Sequence, residues 1–370
     1  MKQGIPFYRA REIVKLAEQG YVENDLFISR ELFEDFSRDG LMPEAGDIMI
    51  SAVGTIGRTY IVQQTDKFYF KDASVLCLKN LHLESGYLDF YLQSSFARAQ
   101  MISGSKGTTV DTITIEKAND YLIPIPPRGE QKRIVSSIQQ LLHFLNRLDT
   151  ERQELKRLID NSKELVLELA VKGKLVPQDS TDEPAIELLK RINPDFKPSD
   201  NLHYIDSIPT GWVCCPLYTV CEILDSQRKP INSKEREKRV EKATTLFPYY
   251  GATGQVGVID DYIFDGVYLL LGEDGAPFLD RYAKKAYSVS GKIWVNNHAH
   301  ILKPRINALY MMCYLNAINY RPYVTGTTRL KLTQEAMRSI PILVPPLAEQ
   351  ERITSRIKLL FHVIDAIQLS

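Results

Sequence analysis

Two imidazoles one residue apart, His298-Ala299-His300, share one face of any strand that carries them, and a pair so placed could grip a metal ion. No third ligand lies nearby in sequence. The stretch Trp294-Val-Asn-Asn-His-Ala-His-Ile also reads as a strand edge, so packing is the favoured role. Glu273-Asp274 and Asp260-Asp261 are the acid pairs that could hold a cation, but both sit near glycines and read as turn acids. A nuclease site of the Asp...Glu-x-Lys kind cannot be assembled from these pieces. The reading is therefore no metal held by this chain.

Other catalytic signatures are missing from the sequence. There is no G-x-x-x-x-G-K-[ST] phosphate loop, no strand followed by G-x-G-x-x-G, no G-x-S-x-G elbow and no H-E-x-x-H. Asn193-Pro194-Asp195-Phe196 comes near the Asn-Pro-Pro-aromatic signature of amino-methyltransferases, in which the second proline shapes the pocket for a flipped base. Asp195 takes that place, and no glycine-rich cofactor strand precedes it. The chain reads as built to hold and recognise, with no catalytic residues and no cofactor of its own.

Composition sets the frame for whatever is recognised. A chain of 370 residues, 44% hydrophobic and 25% charged, is globular with room for two domains, which excludes a collagen, a disordered tail or a disulfide knot. Lys plus Arg and Asp plus Glu both total 46, so a polyanion must be held by a local basic face. Cys77, Cys214, Cys215, Cys221 and Cys313 are odd in number and form no C-x-x-C, which reads as reduced thiols in a cytoplasm. No apolar run approaches the ~20 residues that span a bilayer.

A repeat organises the elements. Pro126-Pro127 with Glu130-Gln131 recurs as Pro345-Pro346 with Glu349-Gln350, 219 positions later. Gly107-Thr108-Thr109 matches Gly326-Thr327-Thr328 at that offset, as do Thr114 with Thr333, Glu116 with Glu335 and Tyr91 with Tyr310. Each copy runs through short β-like segments, a Gly-Thr-Thr loop, an apolar strand (123–125 and 342–344) stopped by Pro-Pro, and a helix. Strands at 47–51 and 266–271 lead into glycine turns at Gly54 and Gly57, and at Gly272 and Gly275. Residues 87–101 and 307–320 have helical spacing. The second copy opens with Ile208-Pro-Thr-Gly-Trp212, and nothing like it begins the first, so the first copy is expected to lack its opening strand or turn.

The helix after the first Pro-Pro is the clearest element. Steps of four and three visit Ile134, Ile138, Leu141, Leu145, Leu148, Arg152, Leu155, Ile159, Ser162, Val166 and Leu169; nine of these eleven are apolar, which makes a heptad seam ending at Gly173. Residues 130–172 amount to about 65 Å of helix. Ile353, Ile357, Leu360, Ile364 and Ile367 repeat the register in a second helix of roughly 36 Å. A two-fold relation between the copies would make the pair antiparallel. The shorter helix is expected to leave the far half of the first seam uncovered, including 165–171, either for another protein or a further copy, or packed on its own domain.

These motifs resemble the DNA specificity subunit of type I restriction-modification systems over nearly the whole chain. The resemblance rests on the two Pro-Pro-x-x-Glu-Gln helix entries, on Phe247-Pro-Tyr-Tyr-Gly251, on 259–266, Glu273-Asp-Gly275 and Asn296-Asn-His-Ala-His300, and on 167–177. It implies an α+β fold, two similar α/β target-recognition domains separated by a long antiparallel coiled-coil helix pair. The organisation implied is a first recognition domain over 1–127, shortened at its front, a central helix over 128–173, a linker over 174–207, a second recognition domain over 208–346 and a shortened terminal helix over 347–370.

The resemblance also implies a role. Double-stranded DNA would be read as two unrelated half-sites, and modification (methyltransferase) subunits and a restriction (motor and endonuclease) subunit would supply S-adenosylmethionine, ATP and Mg chemistry. Two recognition domains on a rod would enter the major groove, the groove that distinguishes all four base pairs, about two turns of duplex apart at most. Candidate DNA contacts are Arg58, Lys106, Thr108 and Thr109 in copy one and Arg321, Tyr323, Thr327, Thr328, Arg329 and Lys331 in copy two. The alternatives are the detached recognition portion of a fused restriction-methyltransferase, and a non-catalytic spacer that binds proteins.

Overall fold

A computed structural model describes residues 4–38, 42–70, 74–80, 82–103, 112–198 and 208–369. The chain divides into two compact units, Met1–Asp149 and Thr150–Ser370. The boundary falls inside one continuous helix.

In the first unit β1 (Ile5–Tyr8) leads into α1 (Ala10–Gln19), followed by β2 (Phe27–Ile28) and α2 (Arg30–Arg38). Then come β3 (Ile48–Ser51), β4 (Thr59–Ile61), β5 (Tyr69–Phe70) and β6 (Val75–Leu78). They form two three-stranded sheets, in the orders β2-β1-β5 and β4-β3-β6. Strand β3 is buried along its whole length, as its uninterrupted Ile-Met-Ile-Ser run requires. Residues 87–101, read as one helix, are two: α3 (Ser85–Leu92) and α4 (Ser95–Ser103), parted at Gln93-Ser94. Next come the short α5 (Ile115–Asn119) and α6 (Arg128–Val171).

The second unit places α7 (Ala185–Ile192) before its sheet, with Ala185 and Leu189 fully buried. Much of the stretch read as a linker is thus part of this core; residues 199–207 lie outside the described ones. The strands are β7 (Val213–Pro216), then after α8 (Leu217–Val220) β8 (Cys221–Ile223), and after α9 (Ser233–Glu241) β9 (Phe247–Tyr250), β10 (Gln255–Ile259), β11 (Phe264–Gly272), β12 (Ala286–Val295) and β13 (Ala299–Pro304). All but β7 form one six-stranded sheet, β10-β9-β12-β11-β13-β8. The chain continues through α10 (Ala308–Ala317), the hairpin β14 (Val324–Thr325) and β15 (Lys331–Leu332), α11 (Gln334–Arg338), β16 (Pro341–Val344) and α12 (Leu347–Leu369). Strand β16 pairs with β7.

The repeat is visible in the bonding of each unit taken alone. Thr114 and Thr333 cap α5 and α11 by accepting from the N–H groups of Lys117 and Ala336. Isolated bridges join Val53 to Thr112 and Asp274 to Lys331, and Gly54 and Gly275 share the left-handed conformation, with φ of 72° and 68°. One correspondence read from sequence is corrected. The hydroxyl of Tyr91 donates to Leu122 O and that of Tyr314 to Pro341 O; Tyr87 donates to Pro124 O and Tyr310 to Leu343 O. Tyr91 therefore matches Tyr314, one helical turn beyond Tyr310. The acceptors keep the 219 offset, so the first copy has extra residues between α3 and Thr114.

Helix α6 ends at Gly173 (φ 66°), where the N–H groups of Gly173 and Lys174 return to the carbonyls of Ala170 and Leu169. Its last turns pack within the second unit. Lys163 meets Asp365 at 2.5 Å and lies over the Phe361 ring, whereas Arg352, near the start of α12, pairs with Asp182 beyond the end of α6. Increasing position on one helix meets decreasing position on the other, so the pair is antiparallel.

The covered part of the seam differs from the expectation. Ile159, Val166, Ile353 and Ile357 are buried, and Leu169, Leu360 and Ile364 half-buried; Ile134 and Ile138 are half-buried in the first unit. Leu141, Leu145, Leu148, Leu155 and Ile367 are exposed. The uncovered stripe is thus 141–158, and not the far end. The cause is anchoring: α12 starts from β16 and α6 finishes at Gly173, both on the second unit's core, so the overlap falls on the last turns of α6.

Candidate nucleic-acid interface

The hairpin β14–β15 carries the second Gly-Thr-Thr loop. Gly326 has φ 95°, and a Cβ there would meet the carbonyl oxygen of Arg329 at 2.5 Å, so the turn demands glycine. Thr327, Thr328 and Arg329 are exposed at the tip. Backbone bonds dock the hairpin on the turn after β11: Leu332 N donates to Glu273 O at 2.7 Å and Gly275 N to Leu330 O at 3.2 Å.

Beneath the tip lies a charged cluster. Arg329 Nη2 is 3.0 Å from Asp274 Oδ1, which His298 Nδ1 also meets at 2.5 Å. Lys331 Nζ lies 3.5 Å from Glu273 Oε1, and Arg228 Nη1 2.6 Å from Glu273 Oε2. The acid pair Glu273-Asp274, read as turn acids, also holds these basic groups in place. Asp260 does likewise for Arg239, at 2.7 Å.

His300 is fully buried, with Nδ1 2.6 Å from Asp225 Oδ2 and Nε2 2.9 Å from Leu332 O. Asp225, Glu273 and His300 are close enough to suggest an ion site. Both ring nitrogens of His300 already face oxygen acceptors, which leaves no lone pair aimed at a cation, and the group reads as a buried polar network linking β13 to the hairpin. Burial alone would raise Asp225, but the His300 hydrogen bond and charge, the Ile301 N–H and Arg228 outweigh it and hold the carboxyl below its ordinary value. In the first unit Ala52 and Leu76 occupy the places of Glu273 and His300, judged by the matching bridges and strand pairings, so this network belongs to one copy.

The remaining candidates in the second unit separate from the tip. Arg321 is exposed and lines a depression with Glu164, Leu167 and Lys172 of α6. Tyr323 is half-buried and packs on the main core. In the first unit Arg58 is half-buried, pairs with Glu18 at 3.5 Å and shares a 160 Å³ depression with Thr55, Arg98 and Met101. Lys106, Thr108 and Thr109 lie outside the described residues. The root of their loop is placed: Ile113 N donates to Ala52 O at 2.9 Å, as Leu332 N does to Glu273 O.

Sequence reasoning missed a basic group on α1. Arg9, Arg11 and Lys15 rim a concavity of 690 Å³ together with Gly54 and Thr55, and Thr55 also lines the Arg58–Arg98 depression. Glu12, 1% exposed, takes Arg11 at 2.7 Å and Arg9 at 3.3 Å. Burial would raise this carboxyl, but hydrogen bonds from Arg9 and Arg11 lower it. The signal was available as Arg9-Ala-Arg11 with Lys15 one turn on, but α1 has no counterpart in the second copy, so the repeat did not point to it.

The geometry is that of two scaffolds of one design with differently furnished loops, and comparison with known proteins agrees. The family model for the type I restriction modification DNA specificity domain matches residues 1–157 and again 209–368. The chain belongs to that family. It is 35% identical to a Haemophilus influenzae protein named as a type I restriction enzyme specificity subunit, over 37% of this chain and 34% of that one. It is 25% identical to the type I restriction enzyme EcoEI specificity subunit of Escherichia coli, over 67% of this chain and 55% of that one. The chain thus spans from a third to just over half of these relatives' lengths.

Among solved structures, one described as the structural basis of complex assembly and conformational transition of the type I R-M system has a TM-score of 0.56 at 17% identity, covering 88% of this chain and 76% of that one. The HsdS subunit from Thermoanaerobacter tengcongensis has a TM-score of 0.50 at 18% identity, covering 87% and 75%. These likenesses establish the fold: α+β, two related domains and a long helix. No helix among the described residues is long and apolar enough to cross a membrane.

Proposed function

We propose that this chain is the sequence-reading component of a type I restriction-modification assembly, with each unit reading one half of a split, asymmetric double-stranded DNA target. The observation that carries the reading is the contrast between shared scaffold and unshared furniture. The same bridge and cap hold each loop root, while the second unit offers Thr327, Thr328 and Arg329 on a hairpin and the first offers Arg9, Arg11 and Lys15 around Gly54. Hydroxyls and guanidinium groups at a loop tip suit base edges and phosphates. Different charged side chains around one scaffold favour unrelated half-sites. Methyl transfer and ATP-driven cleavage belong to separate modification and restriction subunits, and this chain serves them as scaffold and guide.

The test is assembly with a modification subunit followed by footprinting. Two protected patches with an unprotected gap, and no methyl transfer by this chain alone, are the expected results. An unprotected duplex supports the protein-binding spacer instead, and methyl transfer without partners rejects the assignment.

A further inference from the structure

A cavity of 440 Å³ opens in the second unit where the last turns of α6, the loop between β11 and β12 and the end of α10 meet. That volume lies within the range of about 300–1,000 Å³ usual for small-molecule sites. Leu167, Phe278 and Ile318 give it apolar walls, and charged side chains complete the lining. Most of the charge cancels in pairs: Lys172 meets Glu168 at 2.5 Å, and Arg281 meets Glu164 at 2.5 Å. The charges left over, Lys285 and Arg321, are both cations, and among the described residues neither forms an ion pair.

Lys285 is the buried member of the lining, only 2% exposed. Its ammonium has three protons to donate, yet its hydrogen bonding among the described residues is a single long contact, from Nζ to Arg281 O at 3.4 Å. Burial pulls its pKa below the ordinary lysine value, against the opposing charges of Asp280 and Glu164. A cation withdrawn from water with its donors so little used is unfavourable unless an anion meets it.

The fold holds this residue where it is. Asn316 Oδ1 accepts from the N–H groups of Lys285 and Ala286 at 2.7 and 3.1 Å, and Asn316 Nδ2 donates to Ala286 O at 2.8 Å, so the backbone at Lys285 is stapled to α10. Arg321 is the exposed partner, three residues beyond the end of that helix at Ile318, with its own N–H bonded to Asn319 Oδ1 at 3.0 Å.

We propose that this cavity binds a small organic anion, a carboxylate or phosphate group carried on a compact apolar body. Lys285 and Arg321 share the anionic oxygens, the first as a point charge and the second through its planar fork. Leu167, Phe278 and Ile318 take the apolar body. A duplex backbone cannot bring a phosphate to a side chain so enclosed, which favours a free small molecule and keeps this site separate from DNA reading.

The test titrates the full chain with phenyl phosphate and with benzoate by isothermal calorimetry; benzyl alcohol and inorganic phosphate control for body and charge taken alone. Saturable binding of at least one organic anion is expected, at least tenfold tighter than either control. Lys285→Met keeps the length of the apolar stem and should weaken binding at least tenfold. Arg321→Gln, at an exposed position, should weaken it several-fold, and keeps the test decisive should Lys285→Met fail to fold. In a chain carrying carbon-13 at lysine Cε, the Lys285 resonance should titrate at higher pH with the anion bound, which a merely structural lysine would not do. The proposal is overturned if neither organic anion binds, if the controls bind as tightly, if the folded variants bind like the unaltered chain, or if the Lys285 titration is the same with and without the anion.

Discussion

Gln131 and Gln350 make the same two hydrogen bonds in their respective units. Gln131 Nε2 donates to Pro126 O at 2.8 Å and its Oε1 accepts from Glu84 N at 2.9 Å; Gln350 Nε2 donates to Pro345 O at 2.9 Å and its Oε1 accepts from Asn307 N at 3.0 Å. Each amide thus ties the Pro-Pro turn to the residue preceding α3 or α10. Both side chains are almost wholly buried, so truncation leaves a buried donor and acceptor unpaired. Gln350→Ala should cost about 2–4 kcal/mol, and Gln131→Ala a similar amount in the first unit, read from urea unfolding of each variant.

Glu349 gives a pH signature. Burial raises its carboxyl above the ordinary glutamate value, although the Trp212 hydrogen bond and the Arg352 charge pull it down. The folded state then holds a proton that the unfolded state releases, so stability declines as pH rises from the ordinary glutamate range through the raised folded value. Glu349→Gln keeps an acceptor for Trp212 and should flatten that part of the curve. Unfolding free energy measured at successive pH values checks this; an unchanged slope would contradict it.

Arg329 and Arg321 separate tip from flank. If the hairpin reads bases, Arg329→Ala should lower affinity for the target by about 1–3 kcal/mol. Arg321→Ala, beside the end of α6, should leave it nearly unchanged. Dissociation constants of the partnered complex at one fixed salt concentration decide this.

The seam can be tested by stability alone. Ile357, 2% exposed, is core, and Ile357→Ala should cost about 2–5 kcal/mol. Leu145, 54% exposed, should tolerate Leu145→Gln within about 0.5 kcal/mol. Thermal unfolding of the two variants should rank them in that order.

The thiols should be slow to react in the native state. Burial pushes Cys214 up to about 11 and Cys215, Cys221 and Cys313 to about 12. Alkylation at neutral pH should label these four only as fast as the second unit opens; rapid native labelling of any of them would refute this packing.

Much of the architecture was legible because it is written in periodicity and punctuation. The seam from Ile134 to Leu169, Gly173 as a stop and the Pro-Pro entries all fix local geometry without long-range help. Pairings are a different matter. Residues 123–125 carry the same β-branched signal as 342–344, but a strand exists only where a neighbour does, and among the described residues only 342–344 has one, in β7. The Tyr91 register failed because one helical turn preserves the face, so tyrosines four apart are equivalent on sequence grounds. Of the candidate contacts, Thr327, Thr328, Arg329 and Lys331 come together on one hairpin, as contiguity dictates. Arg321 and Tyr323, only a few residues earlier, are claimed by the surface along α6 and by the core.

If the hairpin reads DNA as proposed, the ion pairs beneath it bear on its selectivity. Arg329 and Lys331 already have carboxylates at 3.0 and 3.5 Å, so a duplex drawn to them competes with resident anions for part of their donors. A lone phosphate offers little that Asp274 does not. A guanine edge, with two acceptors in one rigid plane, offers a bidentate grip where Asp274 makes a single contact. On this reading the hairpin idles over random duplex and engages where the lettering is right, its discrimination set as much by the anions it starts with as by the bases it ends on.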